Sequence, residues 1–138
     1  MIIGIGTDIC DIRRIDRLLQ KFGTRFAEKV FTKSERACCE ARSAKAACYA
    51  KRFAAKEAIA KALAGHETGA LSWQDVEIVN APSGKPEVRL YGGALDRVKA
   101  QVRARAKEPT EKETDWQVLL SLSDDAPYAL AYAIVQVI

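Results

Sequence analysis

Apolar and polar positions change period several times along the chain, and each change marks an element. Ile2, Ile3, Ile5 and Ile9 stand in a β-rich opening interrupted by Gly4 and Gly6, which leave room for another backbone to come close. This reads as a first strand ending near Asp8. Ile12, Ile15, Leu18, Leu19 and Phe22 then recur at helical spacing, with Asp11 in front as N-cap and Gly23 behind as the stop. The spacing predicts a helix over 12–22 whose outer side carries Arg13, Arg17 and Lys21 at successive turns, with Arg14 beside them. Thr32-Lys33-Ser34-Glu35 has the form of a capping box and starts a short helix running toward Ala41.

From Ala44 to Ala64 ten of 21 residues are alanine and none is glycine or proline, which predicts a long central helix. At 1.5 Å per residue it extends roughly 30 Å, and its small side chains allow close packing against a neighbour. Val76 and Ile78, then Val88 and Leu90, alternate on either side of Pro82-Ser83-Gly84-Lys85-Pro86, the pattern of two strands joined by a turn. Leu95, Val98 and Val102 indicate a helix over about 92–106. The charged stretch Lys107 to Asp115, with Pro109 inside it, reads as a mobile loop. Trp116 to Ser123 and Tyr128 to Val137 are two final strands around the turn Asp124-Asp125-Ala126-Pro127.

There is no internal repeat and no linker long enough to divide 138 residues, so one domain is expected over 1–138. No apolar run approaches the roughly 18 residues of a membrane span, and Met1-Ile2-Ile3-Gly4 lacks the basic start of a signal peptide. A cytosolic protein without membrane contact follows. Cys10, Cys38, Cys39 and Cys48 form no CxxC pair and the chain has a single histidine, so free thiols are expected rather than a zinc site.

Net charge is +4, but it is unevenly spread: residues 1–64 hold fourteen Lys/Arg against seven Asp/Glu, and residues 65–138 hold eight against eleven. The first half should therefore attract an acidic partner. Nucleic acid is not favoured, since no aromatic-interleaved basic ribbon accompanies the charge. An acidic protein or a phosphorylated small molecule suits the pattern.

Two carboxylates stand in unusual contexts. Asp8 ends a glycine-rich strand, which delivers a side chain at a fixed point, and Glu57 lies midway along the central helix beside Phe53, Ala54 and Ala60. Two hard oxygen ligands from separate elements, completed by substrate phosphate, are what Mg²⁺ commonly uses. Lys61, one turn after Glu57, is suited to neutralise a phosphate at the same place. The residues alone favour a helix-capping or turn aspartate and an ordinary Glu57–Lys61 pair one turn apart.

Gly4-Ile5-Gly6-Thr7-Asp8-Ile9 followed by Arg13-Arg14-Ile15, then Arg52-Phe53-Ala54-Ala55-Lys56-Glu57-Ala58 with Lys61 one turn on, resemble the paired signatures of the holo-acyl-carrier-protein synthases. The likeness extends to Phe31-Thr32, Gly84-Lys85-Pro86 and Leu120-Ser121-Leu122-Ser123, and so runs from residue 2 to the C-terminus. Two positions depart from the family pattern: Ala64-Gly65-His66 stands where a Gly-Thr-Gly run is usual, and Asp124 stands where many members carry histidine.

The resemblance implies an α+β, 4'-phosphopantetheinyl transferase-like fold, with a small, mainly antiparallel sheet packed on the long central helix. It implies transfer of phosphopantetheine from coenzyme A to a serine of an apo acyl carrier protein. Asp8 and Glu57 would be the magnesium ligands and Lys61 the group that stabilises the pyrophosphate, while either Glu57 or a water takes the serine proton. Lys61, Gly65, Lys85 and Pro86 would contact coenzyme A. Arg13, Arg14, Arg17, Lys21 and Arg25 would dock the acidic helix of the carrier, and the active species would be a homotrimer. Two other readings predict different behaviour. A magnesium-dependent phosphohydrolase or nucleotidyl transferase would need no protein acceptor. A non-catalytic binder of an acidic partner would need neither carboxylate.

Overall fold

The computed structural model describes residues 1–65, 70–105 and 114–138. The first strand, β1 (Ile2–Asp11), runs antiparallel to the last, β5 (Tyr128–Val137), which pairs on its other side with β4 (Trp116–Asp125). The chain's beginning and end thus form one three-stranded sheet in the order β1-β5-β4. Asp8 lies on an edge strand of it, opposite Ala131.

The alanine-rich helix α4 (Lys45–Ala62) lies against this sheet, and small residues set the separation. Ala54, Ala55 and Ala58 on the helix and Ala129, Ala131 and Ala133 on β5 are all fully buried. A Cβ at Gly6 would stand 1.9 Å from the Ala58 carbonyl oxygen, and one at Gly4 would stand 2.2 Å from that of Ala62. Only glycine lets the strand backbone meet the helix backbone there.

Three helices precede α4: α1 (Ile12–Phe22), α2 (Thr24–Val30) and α3 (Lys33–Glu40). The caps act as the sequence indicates. Asp11 accepts the Arg13 backbone N–H, and Thr32 and Glu35 complete a reciprocal capping box. The hairpin of β2 (Val76–Asn80) and β3 (Pro86–Leu90) forms a second antiparallel sheet, followed by α5 (Gly92–Arg105). The architecture is α+β, with antiparallel sheets around one long helix, as expected.

The structure amends four expectations. The first strand runs on to Asp11 because the β5 register continues to Tyr128. α2 is a seven-residue helix that the sequence did not signal. Cys39 and Cys48 are joined in a disulfide instead of being free thiols: the end of α3 and the start of α4 bring their Cα atoms to 5.4 Å, a convergence that spacing alone does not reveal. Finally, the close packing of α4 is made against the chain's own sheet by Ala54, Ala55 and Ala58, which are fully buried, while Ala46, Ala47 and Ala60 stay partly exposed. The opposite face of the sheet is exposed. Ile5 and Ile9 on β1 are 58% and 64% exposed, beside exposed Tyr128, Leu130 and Tyr132 on β5.

No helix among the described residues is long and apolar enough to cross a membrane. His66 and residues 107–113 of the charged stretch lie outside the described residues.

Candidate active site

Asp8, Glu57 and Lys61 gather where β1 crosses α4. Side chains alternate along a strand, so Gly4, Gly6 and Asp8 share the face turned to the helix. Lys61 does not pair with Glu57 one turn earlier. Its Nζ donates to Asp8 Oδ1 at 3.1 Å and to the Thr7 carbonyl at 2.9 Å. Glu57 makes no hydrogen bond or ion pair among the described residues, which leaves its carboxylate available.

Cys10 feels this charge. Burial pushes its thiol up, Arg14 opposes that shift, and the carboxylates of Asp8, Asp11 and Glu57 add to it. Strand end, first turn of α1 and middle of α4 therefore share one electrostatic neighbourhood.

No group of three or more His, Cys, Asp or Glu side chains is arranged to enclose a metal among the described residues. Two carboxylates fit magnesium, which keeps waters and takes substrate phosphate oxygens to complete its shell, and do not fit a closed structural zinc site.

Beside Glu57 a cleft of about 180 Å³ is lined by Ala60, Leu71, Trp73 and Val76. Behind it lies an ion pair that the sequence does not disclose. Lys56 and Glu35 are 2% and 1% exposed, and Lys56 Nζ meets Glu35 Oε1 at 2.8 Å. Burial holds the Lys56 ammonium below its ordinary pKa, against the pull of Glu35.

The basic residues of α1 separate into different roles. Arg13 forks onto Asp11, with Nε to Oδ1 at 3.0 Å and Nη2 to Oδ2 at 2.8 Å. Arg14 lies 5.3 Å over the Phe53 ring, Arg17 is exposed, and Lys21 sits 5.2 Å over Phe22. Arg25 and Lys29 rim a groove of about 400 Å³ whose floor is Leu18, Phe22 and Phe26.

The residues expected at coenzyme A divide between two places. Gly65 follows α4 at φ +107, a backbone setting that favours glycine, and Gln101 of α5 holds the carbonyls of Ala62 and Ala64 at 3.1 and 3.3 Å. Pro86 lines a separate pocket of about 250 Å³ with Arg42, Lys51, Arg52 and Asp124, while Lys85 is exposed at the hairpin turn. Leu122 and Asp124 put that pocket at the β4 edge of the sheet, whereas Asp8 is on β1, the opposite edge. Within one chain Lys85 and Pro86 do not join Asp8, Glu57 and Lys61. Arg42 and Lys51 in this pocket escaped the sequence reading; the +7 balance of residues 1–64 was the available signal.

The model of the 4'-phosphopantetheinyl transferase superfamily matches residues 4–133. The chain belongs to that superfamily. A holo-[acyl-carrier-protein] synthase of Methylobacterium sp. (strain 4-46) is 48% identical to this transferase, over 99% of this chain and 95% of the relative. The crystal structure of the Neisseria meningitidis holo-[acyl-carrier-protein] synthase superposes with a TM-score of 0.77 at 37% identity, covering 99% of both chains. That of Bacillus anthracis, in complex with CoA (3',5'-ADP), does so with a TM-score of 0.71 at 30% identity, over 98% of this transferase and 96% of that chain.

Proposed function

We propose that the chain transfers 4'-phosphopantetheine from coenzyme A to a serine of an apo acyl carrier protein and releases 3',5'-ADP. It is an enzyme of the holo-[acyl-carrier-protein] synthase kind. The observation that carries the mechanism is the meeting of Asp8, Glu57 and Lys61 at the crossing of β1 and α4.

Asp8 and Glu57 hold Mg²⁺ in this reading, which supplies Lewis-acid stabilisation of the coenzyme A pyrophosphate when bound. The serine Oγ attacks the β-phosphorus, and the bond from that phosphorus to the bridging oxygen breaks. Lys61 Nζ neutralises the charge that grows on the departing 3',5'-ADP. The serine proton passes to Glu57 or to a water beside it.

Arg13, Arg14, Arg17, Lys21 and Arg25 dock the carrier. The apolar floor of Leu18, Phe22 and Phe26 between Arg25 and Lys29 supports this reading, since an amphipathic acidic helix needs both an apolar groove and a basic rim.

Gly65, Lys85 and Pro86 contact the coenzyme, and Arg42 beside Pro86, with Lys51 that also pairs with Asp124 at 3.2 Å, suits its nucleotide phosphate. Because that pocket and Asp8 lie at opposite sheet edges, a complete site draws on two chains. The exposed apolar face of Ile5, Ile9, Leu130 and Tyr132 supports a homotrimer as the assembly that joins them. The setting is the cytoplasm.

Intact-mass measurement tests the reading. Apo carrier incubated with the protein, coenzyme A and Mg²⁺ gains one phosphopantetheine group. Release of nucleotide with the carrier mass unchanged would instead mark a phosphohydrolase.

A further inference from the structure

Helix α4 ends on a charge badly suited to a phosphate. The last carbonyls of a helix carry partial negative charge, and here they belong to Lys61 and Ala62, with Ala64 just beyond the cap at Leu63. The Ala64 N–H takes the Lys61 carbonyl at 3.2 Å. The other two carbonyls are taken from another element. Gln101 of α5 donates from Nε2 to the Ala62 carbonyl at 3.1 Å and to that of Ala64 at 3.3 Å, and the residue is 4% exposed. Its amide has one orientation, since turning it over would set Oε1 against two carbonyl oxygens. In that orientation Oε1 is buried and has no hydrogen-bond partner among the described residues. The rest of the buried face of α5 is Ala94, Val98 and Val102, and an apolar side chain in place of Gln101 would avoid the unpaired acceptor. What Gln101 adds is a pair of donors. The Ala62 carbonyl is also where β1 closes on α4, as a Cβ at Gly4 would stand 2.2 Å from its oxygen. Beyond it Ala64 and Gly65 are exposed, and nothing lies within 4 Å of where a Cβ on Gly65 would stand. The end of α4 is thus tied on the inside and open on the outside.

We propose that Gln101 is a positioning residue for the reaction: by drawing the carbonyls of Ala62 and Ala64 inward it quenches the negative end of α4, so that an anionic pyrophosphate can lie beside Lys61 and Gly65. The inference rests on reading Lys61 and Gly65 as coenzyme contacts. Two carbonyl dipoles left unpaired at that end would oppose the substrate's charge and cancel part of what the Lys61 ammonium supplies. Gln101 itself meets no substrate and acts through the backbone it holds. Its effect therefore falls on the anionic substrate and spares the carrier, whose proposed docking residues lie on α1 and α2. The same device occurs elsewhere in the chain with a cation as donor, where buried Lys56 holds the carbonyls of Trp73 and Val76.

The test is steady-state transfer by wild type, Gln101→Met and Gln101→Lys, with KM measured separately for coenzyme A and for carrier, and with circular dichroism showing that each variant is folded. Gln101→Met keeps the length of the side chain and removes both donors. It should raise KM for coenzyme A about fivefold, the size of an interaction with a helix end, and leave KM for the carrier unchanged. Gln101→Lys changes the shape more but restores donors to the two carbonyls. It should bring KM for coenzyme A back to the wild-type value or below it, a rescue that a residue needed only to fill space would not show. An unchanged coenzyme A KM in Gln101→Met overturns the proposal, as do equal rises in both KM values or a rise in Gln101→Lys as large as in Gln101→Met. Each variant decides by itself should the other fail to fold. A failure of the underlying reading looks different: Lys61→Ala would then bind coenzyme A, followed by calorimetry without carrier, with the wild-type dissociation constant.

Discussion

Gly6 and Ala58 are in backbone-to-backbone contact, so that a Cβ on Gly6 would fall 1.9 Å from the Ala58 carbonyl oxygen. Two residues further along the same strand face, Asp8 reaches Lys61 on the next turn of the helix. The site is thus set by the separation of β1 and α4. Gly6→Ala is expected to push them apart and destabilise the protein by about 3 kcal/mol, the upper end for overpacking, because the obstacle is backbone and not a movable side chain. A thermal unfolding midpoint equal to wild type would contradict this packing.

Asp8→Ala and Glu57→Ala should each reduce transfer to background while far-ultraviolet circular dichroism and the unfolding midpoint stay near wild type, since both carboxylates are only partly buried. EDTA should silence the wild type in the same way, and added Mg²⁺ should restore it. Lys61→Ala should slow turnover by about 10²–10³, as for loss of one charge-stabilising donor. Near-normal transfer by either carboxylate variant at saturating Mg²⁺ would remove that residue from the ligand set.

Much of this geometry was legible before the fold, and the parts that were not share a cause. Asp11 and Gly23 bracket α1, Thr32 and Glu35 announce α3, and unbroken alanine marks α4, because caps and propensity are local. α2 was missed because its seven residues offer no side-chain cap and less than two full turns of pattern. The Glu57–Lys61 spacing points to an intrahelical pair, yet a strand 53 residues earlier supplies Asp8 instead. The Cys39–Cys48 disulfide and the buried Lys56–Glu35 pair likewise join elements whose approach no sequence period encodes.

Arg17 offers the cleanest test of carrier docking, because Arg13 is tied to Asp11 and Arg14 also packs on Phe53. Arg17→Glu should raise KM for the carrier several-fold and leave KM for coenzyme A unchanged. Salt should weaken wild-type carrier use in the same direction, since exposed charges are screened over about 8–10 Å near physiological ionic strength. Equal losses for both substrates would indicate a damaged fold.

The Asp11–Arg13 fork gives an acid-pH signature. The hydrogen bond from Arg13 holds the Asp11 carboxyl down to about 2, from an ordinary value of 3.8. A carboxyl with a lowered folded-state pKa stabilises the fold fully above the unfolded value and loses that contribution as pH falls through the folded one. Relative to Asp11→Asn, which keeps an acceptor at the cap, wild type should hold a constant advantage above pH 3.8 and lose it toward pH 2. Urea midpoints of both proteins across that range check the sign. An advantage that grows on acidification would be the wrong way round.

A site shared between two chains, as proposed, would separate assembly from chemistry. Asp8 lies on one edge strand and the Pro86 pocket at the other edge, so a variant lacking Asp8 and a variant lacking a coenzyme contact of the hairpin fail in different halves of the site. Asp8→Ala and Lys85→Ala should each be impaired alone. Co-expressed in equal amounts, they should recover activity, because some interfaces then pair an intact Asp8 with an intact Lys85 from the adjacent chain. With random cyclic assembly each site draws one half from each of two neighbours, so roughly a quarter of the sites are complete. Separately purified variants mixed without subunit exchange should show no such recovery. Light scattering at assay concentration supplies the independent check, with a trimer mass expected. A fully active monomer would remove both the assembly and the shared site, and would leave the Asp8–Glu57–Lys61 chemistry to stand within one chain.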